Sequence, residues 1–164
     1  MSDSQYFRSR PEVASKPIDV DVSLHDVAFS LRTDTGVFSR SALDTGTRLL
    51  LTEAPALPSA GTLLDLGCGA GPIAVTMALR SPGCTVWAVD INERARELTR
   101  FNAERAGARN VRVAAPDDVG DDVVFDVIWS NPPIRIGKAA LHDLLLHWLA
   151  RLRAGGLAVL VVQK

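Results

Sequence analysis

The sequence of 164 residues is poor in the side chains that form disulfides, metal centres and catalytic triads. Its two cysteines, Cys68 and Cys84, are too few for a disulfide framework and belong to no ligand cluster, so we expect free thiols and no metal. The three histidines are scattered, and none has the neighbours of a triad. We therefore expect them to be structural or surface residues rather than ligands or general bases.

Long apolar runs and a charge excess are absent as well. The longest apolar runs, such as residues 157–162, are far shorter than the ~20 residues that a membrane span requires. The N-terminus is polar and lacks the basic and apolar segments of a secretion signal. We expect no membrane contact and a cytoplasmic location. Because the formal net charge is −1, any nucleic-acid contact would depend on local basic patches.

The composition of the chain, with 47% hydrophobic and 23% charged residues, is typical of one globular domain. Residues 1–17 are polar and include two prolines, so they predict a flexible arm. Apolar and polar residues alternate over 18–23, and a second apolar run follows. Residues 18–164 therefore predict a single domain, with a β-hairpin extension at 18–33 and a core at 34–164.

The core alternates between apolar strands and amphipathic helices. An early helix carries three leucines at 49–51, begins with a cap at Asp44 or Thr45, and ends before Pro55. The predicted strands are residues 62–66, 85–90, 111–115, 124–130 and 157–162, and the predicted helices are 72–80, 93–107 and 138–153. Residues 116–122 are too polar to predict a helix. This alternation predicts a doubly wound α/β fold with a mainly parallel sheet covered on both faces.

A glycine-rich turn is the strongest chemical signal. An apolar strand runs into the alternating glycines of Gly67–Gly71, and Pro72 suits a first helical position. Glycine tolerates a positive φ and lets a ligand approach the backbone without a Cβ in the way. A tight strand-to-helix connection alone would explain the glycines. Asp90, however, ends the next strand about 20 residues later, where nucleotide-binding folds place an acceptor for ribose hydroxyls.

The turn has glycines at 67, 69 and 71 with Asp65 before them, whereas a dinucleotide site has its third glycine one residue later. It resembles motif I of class I S-adenosylmethionine-dependent methyltransferases. The resemblance implies a Rossmann-like fold and S-adenosylmethionine as cofactor. It also implies that Asp65 holds the amino-acid end, directly or through water, and that Asp90 binds the ribose hydroxyls. The implied cofactor residues are Asp65, Gly67, Cys68, Gly69, Gly71, Asp90 and Ile91.

The segment Asn131-Pro132-Pro133-Ile134 follows the fourth core strand. Because the carboxyl ends of the strands meet at one edge of an open α/β sheet, we expect it to face the same crevice as the glycine-rich turn. The Asn131 side-chain oxygen and the Pro132 carbonyl can accept the two N–H groups of a planar exocyclic amine. In-line alignment can lower the barrier by on the order of 7–11 kcal/mol. No general base is required, because the proton can leave to solvent once the nitrogen is methylated. The alternative is a rigid turn that ends the strand.

This segment resembles the Asn/Asp-Pro-Pro-Tyr/Phe/Ile motif of amino-methyltransferases, in which an aromatic residue often stacks on the target base. Ile134 stands at that position here, so another residue would have to grip the base. From about Asp34 onward the chain resembles the methyltransferase small family, whose best-known members are of the RsmC type. The resemblance rests on residues 33–39, 43–51, 131–135 and 155–164 together with the glycine-rich turn.

The family resemblance implies methylation of the exocyclic N2 amine of a guanine, with ribosomal RNA or the small ribosomal subunit as partner. It implies that Phe38 lies near the sulfonium, where a ring face attracts the positive sulfur, although ordinary core packing is the alternative. Asp44, Gly46 and Thr47 would border the cofactor, and Asn131 would contact both cofactor and amine. Methylation of protein glutamine or a small molecule, and a non-catalytic cofactor-binding module, stay open as other functions.

We expect this chain to differ from the larger ribosomal members of this family at both ends. Those members carry an additional N-terminal domain, and the family continues after the fifth core strand through another helix and a β-hairpin. We expect this chain to lack that C-terminal hairpin. An apolar strand at an open sheet edge favours pairing with another chain, so the sequence allows a homo-oligomer through this edge.

Arginine outnumbers lysine fifteen to three. Five arginines fall on or just after one predicted helix, where we expect a solvated face: Arg94, Arg96, Arg100, Arg105 and Arg109. Arg40, Arg135 and Lys138, together with Arg32, flank the proposed site and are better candidates for phosphate contacts. We therefore predict that these residues guide RNA to the cleft.

Overall fold

The computed structural model describes residues 13–37 and 42–162. An antiparallel hairpin of β1 (Ile18–Ser23) and β2 (Ala28–Thr33) precedes the main sheet, and its register runs without a break from one end to the other. The predicted hairpin extension is therefore confirmed. Residues 1–12 of the predicted arm, Phe38 and Arg40 lie outside the described residues.

Within residues 42–162, five parallel strands form the main sheet: β3 (Gly61–Leu66), β4 (Cys84–Val89), β5 (Val111–Ala114), β6 (Phe125–Ser130) and β7 (Leu152–Leu160). Their spatial order is β5-β4-β3-β6-β7, so the chain moves outward from β3 to one edge and then resumes on the other side of β3. This order confirms the doubly wound α/β fold. Ligands bind such sheets at the carboxyl ends of the strands where the order reverses, which here means between β3 and β6.

In the described chain, four α-helices cover the sheet: α1 (Thr45–Glu53), α2 (Pro72–Arg80), α3 (Glu93–Arg105) and α4 (Lys138–Leu149). The first three contribute to a core on one face, which includes Leu63 and Trp129. α4 contributes Trp148 to a second core on the other face, together with Leu64 and Ile128. Neighbouring strand residues thus enter opposite cores, as the two-residue period of a strand requires.

The helices begin where the sequence offers caps. The Asp44 side chain accepts the Thr47 N–H at the start of α1, and the Asn92 side chain accepts the Ala95 N–H at the start of α3. Pro72 occupies the start of α2, directly after the glycine-rich turn. Each of these starts lies at the carboxyl edge of the sheet, so the caps also fix the loops around the crevice.

The predicted end of the last helix is wrong. The sequence predicts a helix over 138–153, but α4 ends at Leu149 and β7 begins at Leu152. The Phe125 N–H donates to the Arg151 carbonyl at 2.9 Å, so pairing with β6 starts as soon as the helix has ended. Tertiary pairing overrides local helix propensity here. The polar residues 116–122 contain a short 3-10 turn at Pro116–Asp118.

Asn102 joins the hairpin to the sheet. Its fully buried side chain donates to the carbonyl of Arg32 at 2.8 Å and accepts the Arg32 N–H at 2.7 Å. The same Nδ2 also donates to the carbonyl of Ala70 at 2.7 Å. Since Ala70 belongs to the glycine-rich turn, one side chain of α3 fixes both β2 and that turn.

The exposed edge of the sheet and the apolar content of the helices bear on contacts with other chains and with membranes. β7 has β6 as its one sheet neighbour in the described chain, and Leu157 and Val162 are exposed. Pairing through this edge stays a prediction. No helix within 13–37 or 42–162 combines the length and the apolar content that a membrane crossing needs.

Candidate active site

A cleft opens at the carboxyl edge of the sheet, where the strand order reverses. It contains most of the residues that the sequence predicts for the site: Asp44, Thr47, Gly67, Cys68, Gly69, Asp90, Ile91, Asn131, Pro132 and Pro133. Gly46 and Gly71 adjoin this lining, because a Cβ at Gly46 would lie 3.1 Å from Asp44 Oδ2 and the Gly71 N–H donates to the Cys68 carbonyl at 2.9 Å. The fold therefore brings residues from four separate segments of the sequence to one cleft.

The glycine-rich turn wraps over the end of β4. The N–H groups of Gly67 and Cys68 both donate to the Val89 carbonyl, at 2.8 and 3.0 Å. The φ angles of Gly67, Gly69 and Gly71 are 74°, 57° and 93°, which L side chains rarely adopt. The turn conformation therefore requires glycine at three alternating positions.

The three glycines differ in what a side chain would meet. A Cβ at Gly67 would have its nearest neighbour on Pro133, 3.9 Å away, and a Cβ at Gly69 would have its nearest neighbour on Val37, 3.8 Å away. Both added atoms would project into the cleft. A Cβ at Gly71 would instead lie 2.9 to 3.2 Å from atoms of Thr99 on α3. Two glycines thus leave bare backbone facing the cleft, and the third lets α2 and α3 approach each other.

Asp65 is the penultimate residue of β3, beneath this turn. It is fully buried and is not among the residues that line the cleft. Its Oδ2 accepts the N–H of Ala74, in the first turn of α2, at 2.9 Å. Oδ1 has no partner among the described residues. Burial is the main cause that raises the pKa of Asp65 to about 8, against the hydrogen bond from Ala74. A buried carboxylate oxygen without a partner is costly, so this atom suits a ligand that brings a positive charge or a donor.

Asp90 follows β4 and holds the turn from the other side. Its Oδ2 accepts the Gly69 N–H and its Oδ1 accepts the Asn92 N–H, each at 2.9 Å. Burial raises the pKa of Asp90, and these hydrogen bonds partly offset that effect. Arg96 donates to the carbonyls of Asp90 and Ile91 at 2.8 Å and so fixes the backbone of the loop. Asp90 therefore shapes the turn as well as lining the cleft.

Asn131 follows β6 and lies opposite the glycine-rich turn. Its Nδ2 donates to Asp44 Oδ2 at 2.7 Å and to Thr47 Oγ1 at 3.1 Å. The side-chain amide is therefore held by the first turn of α1 and its cap. No described residue donates to Asn131 Oδ1 or to the Pro132 carbonyl, so both oxygens keep free acceptor capacity beside the cleft.

The prolines shape the loop after Asn131. Pro132 is buried, and the Pro133 carbonyl accepts the Ile136 N–H at 3.3 Å in a 3-10 turn over Ile134–Ile136. The backbone of Ile134 belongs to this turn, while its side chain lies outside what the structure describes. The segment 131–134 can therefore be both a rigid turn that ends the strand and part of a binding site.

The predicted basic residues divide into two groups. Arg135 and Lys138 are exposed after Asn131, as expected for residues at the rim. Arg32 instead pairs with Asp19 at 2.9 Å and lies 4.7 Å from the ring of Phe101, so it holds the hairpin on α3. Three of the five arginines expected on a solvated helix face bind other elements instead. Arg96 holds the loop after β4, Arg94 donates to the Thr35 carbonyl at 2.7 Å, and Arg105 binds Asp19 of β1 at 3.2 Å.

The sequence predictions do not include three residues that contribute to the site. Asn92 caps α3 and donates to the Gly36 carbonyl at 3.0 Å, and Thr99 donates to the Gly69 carbonyl at 2.9 Å. Trp148 of α4 is buried and lines the cleft from the second face of the sheet. Asn92 is recognisable in the sequence as a possible helix cap, whereas the roles of Thr99 and Trp148 depend on tertiary structure. Within the described ranges, no group of three or more His, Cys, Asp or Glu residues could hold a metal ion.

The strand order, the glycine-rich turn and the cleft define a class I S-adenosylmethionine-dependent methyltransferase domain. The chain belongs to the methyltransferase small domain family, whose family model matches residues 28–164. S-adenosylmethionine is accordingly its cofactor.

The chain is 36% identical to the uncharacterized protein YbxB of Bacillus subtilis, over 97% of this chain and 81% of YbxB. It is 38% identical to the ribosomal RNA small subunit methyltransferase C of Shewanella amazonensis, over 70% of this chain and 33% of that protein. Its fold matches the T. thermophilus 16S rRNA N2 methyltransferase RsmC, which was solved in complex with AdoMet and guanosine. The TM-score is 0.75 at 23% identity, and the match covers 92% of this chain and 43% of RsmC. The chain thus spans about a third of the Shewanella relative.

Proposed function

We propose that this domain methylates a planar exocyclic amine, and that the amine is N2 of a guanine in ribosomal RNA. The observation that carries the proposal is the fixed amide of Asn131, whose nitrogen is held by Asp44 and Thr47 while its oxygen stays available beside the cleft. Two adjacent acceptors, Asn131 Oδ1 and the Pro132 carbonyl, match the two N–H groups of such an amine.

The residues around the turn fit S-adenosylmethionine. Asp65 lies behind the cleft lining, so its unpartnered Oδ1 would accept from the cofactor's ammonium through water or after a small opening of the turn. The bare backbone at Gly67 and Gly69 suits the methionine part of the cofactor. Asp90 Oδ1 and Oδ2 each accept one backbone N–H and retain capacity for ribose hydroxyls. When bound, the cofactor supplies a methyl group attached to a positively charged sulfur.

The chain's own contribution to catalysis is positioning. The lone pair of an exocyclic amine is delocalised into its ring, so the nitrogen is a weak nucleophile that gains most from being held in line. Hydrogen bonds to Asn131 Oδ1 and the Pro132 carbonyl would fix the amine and stabilise the positive charge that develops on it. The excess proton can leave to solvent afterwards, which agrees with a described cleft that contains no histidine.

The choice of ribosomal guanine rests on the relatives. One relative is a ribosomal RNA small subunit methyltransferase, and the RsmC N2 methyltransferase, which has the same fold, was solved with AdoMet and guanosine bound. Exposed Arg135 and Lys138 directly after the Asn131 segment would attract the RNA backbone. A ribosomal substrate would place the enzyme in the cytoplasm.

The test is transfer of labelled methyl groups from S-adenosylmethionine to small ribosomal subunits, to deproteinised ribosomal RNA and to protein extract, followed by analysis of nucleosides. We expect label in N2-methylguanosine, and no label with Asn131→Ala. Label in protein or in small molecules would instead support the glutamine or small-molecule alternative. Cofactor binding without label in any acceptor would support a non-catalytic module.

A further inference from the structure

We propose that Asp44 is a positioning residue for catalysis, which fixes the side-chain amide of Asn131 with its oxygen toward the substrate. This inference rests on the proposed function and deepens it. The family resemblance assigns Asp44 to the border of the cofactor, whereas its hydrogen bond connects it to the residue that would hold the amine.

The contact joins two elements that are far apart in sequence. Asp44 caps α1, and its Oδ2 accepts two hydrogen bonds, from the Thr47 N–H at 3.1 Å and from Asn131 Nδ2 at 2.7 Å. Asn131 stands 87 residues later, at the end of β6. The short distance to Asn131 is typical of a hydrogen bond strengthened by charge.

An ionised carboxylate only accepts hydrogen bonds, so it distinguishes the two ends of an amide. Asp44 Oδ2 attracts the NH2 group of Asn131 and would repel its oxygen. Without such a neighbour the amide could turn by 180° and offer donors to the cleft, where an amine needs acceptors. Asp44 therefore selects the one orientation in which Asn131 can accept from an N–H group.

The carboxylate also acts on Asn131 Oδ1 through the amide itself. A hydrogen bond from the amide nitrogen to an anion draws electron density toward the carbonyl oxygen, and hydrogen bonds in series strengthen one another. The second donor bond of Nδ2, to Thr47 Oγ1 at 3.1 Å, acts in the same direction. Asn131 Oδ1 is thereby a stronger acceptor for an amine that becomes positively charged.

The sequence of α1 permits this approach because residue 46 is a glycine. A Cβ there would lie 2.8 Å from Val161 Cγ1, 3.1 Å from Asp44 Oδ2 and 3.4 Å from Asn131 Nδ2. A side chain there would have to displace Val161 or move α1 away from Asn131. Glycine at this position therefore allows the close approach on which the Asp44 contact with Asn131 depends.

The test compares Asp44→Ser and Asp44→Asn. Serine still caps α1 but is too short to reach Asn131, and asparagine keeps the cap and an acceptor while losing the charge. We expect kcat to fall roughly 10- to 100-fold in Asp44→Ser and less in Asp44→Asn, from the usual strength of a charge-assisted hydrogen bond. KM for the acceptor should change by less than about threefold. Should Asp44→Ser fail to fold, Asp44→Asn carries the comparison.

A second readout needs neither cofactor nor turnover. In the 15N-labelled free protein, the side-chain NH2 signals of Asn131 are identified by their loss in Asn131→Ala. They should shift strongly in Asp44→Ser and partly in Asp44→Asn. The matched control is Asp26→Ser, since Asp26 binds Arg80, which donates to the Leu51 carbonyl in α1 well away from the cleft. It should leave both the Asn131 signals and kcat unchanged.

The outcomes separate this inference from the function on which it rests. Unshifted Asn131 signals in Asp44→Ser, or a kcat equal to that of the unaltered protein, would overturn the positioning role. Weaker binding of S-adenosylmethionine in both variants, with unshifted Asn131 signals, would assign Asp44 to the cofactor instead. Full turnover by Asn131→Ala would contradict the proposed function itself.

Discussion

The buried carboxyl of Asp65 should make the stability of the cofactor-free protein depend on pH. Burial raises the pKa of Asp65 from 3.8 to about 8, so the folded protein keeps a proton that the unfolded chain releases. The stabilisation is fully present below about pH 4 and is lost as the pH rises toward 8, by about 1.4 kcal/mol per pH unit. Between pH 3.8 and 8, ionisation of Asp65 can lower the free energy of unfolding by at most about 6 kcal/mol, which is comparable with the whole stability of many domains.

The assay is urea unfolding between pH 5 and 9 without cofactor, for the unaltered protein and Asp65→Asn. Asparagine keeps an acceptor for the Ala74 N–H and does not titrate. The free energy of unfolding of the unaltered protein should fall relative to the variant up to about pH 8 and then level off. Asp143→Asn, at an exposed site on α4, serves as control for general charge effects. A difference between the two proteins that stays constant over this range would refute the assignment of a buried, neutral Asp65.

Three further variants test the fold and the rim. Gly71→Ala should lower the free energy of unfolding by about 2 kcal/mol or more, from its positive φ and the clash with Thr99, as measured by denaturant titration. Asn102→Ala should cost about 2–4 kcal/mol, because it leaves buried backbone groups of the hairpin and the turn unpaired, and amide exchange in β1 and β2 should accelerate. Replacement of Arg135 and Lys138 by alanine should weaken RNA binding and flatten its salt dependence in filter binding.

Each of these expectations has its own contrary outcome. A Gly71→Ala protein as stable as the original would show that α2 and α3 can separate at no cost. Unchanged exchange in the hairpin of Asn102→Ala would mean that other contacts hold it. For the rim, Arg109→Ala removes an exposed arginine after α3 and is the control. An equal loss of RNA affinity in that control would mean that no particular basic patch guides the substrate.

The sequence predicts the order of strands and helices because glycine and proline separate apolar runs of clear period. It predicts the cleft because Gly67–Gly71, Asp90 and Asn131 each follow a strand, and parallel strands bring their carboxyl ends together. The end of α4 is not predictable in this way, since residues 150–153 suit a helix and only the partner strand β6 ends it.

The contacts that orient the site are also beyond local patterns. Asp44 is recognisable as a helix cap, but nothing near it in the sequence indicates a hydrogen bond to a residue 87 positions away. Asn102 likewise lies among ordinary polar helix residues, although its side chain bonds to both the hairpin and the glycine-rich turn. Such roles follow from the packing of α1 and α3 against the sheet.

The central claim is that the two sides of one cleft have separate tasks, with cofactor on the glycine-rich side and amine at Asn131. The most direct measurement compares single-turnover methyl transfer and equilibrium affinity for S-adenosylmethionine in Asn131→Ala and Asp90→Ala. We predict that Asn131→Ala abolishes transfer and leaves the affinity nearly unchanged, while Asp90→Ala chiefly weakens the affinity. Equal loss of both properties in both variants would contradict the account.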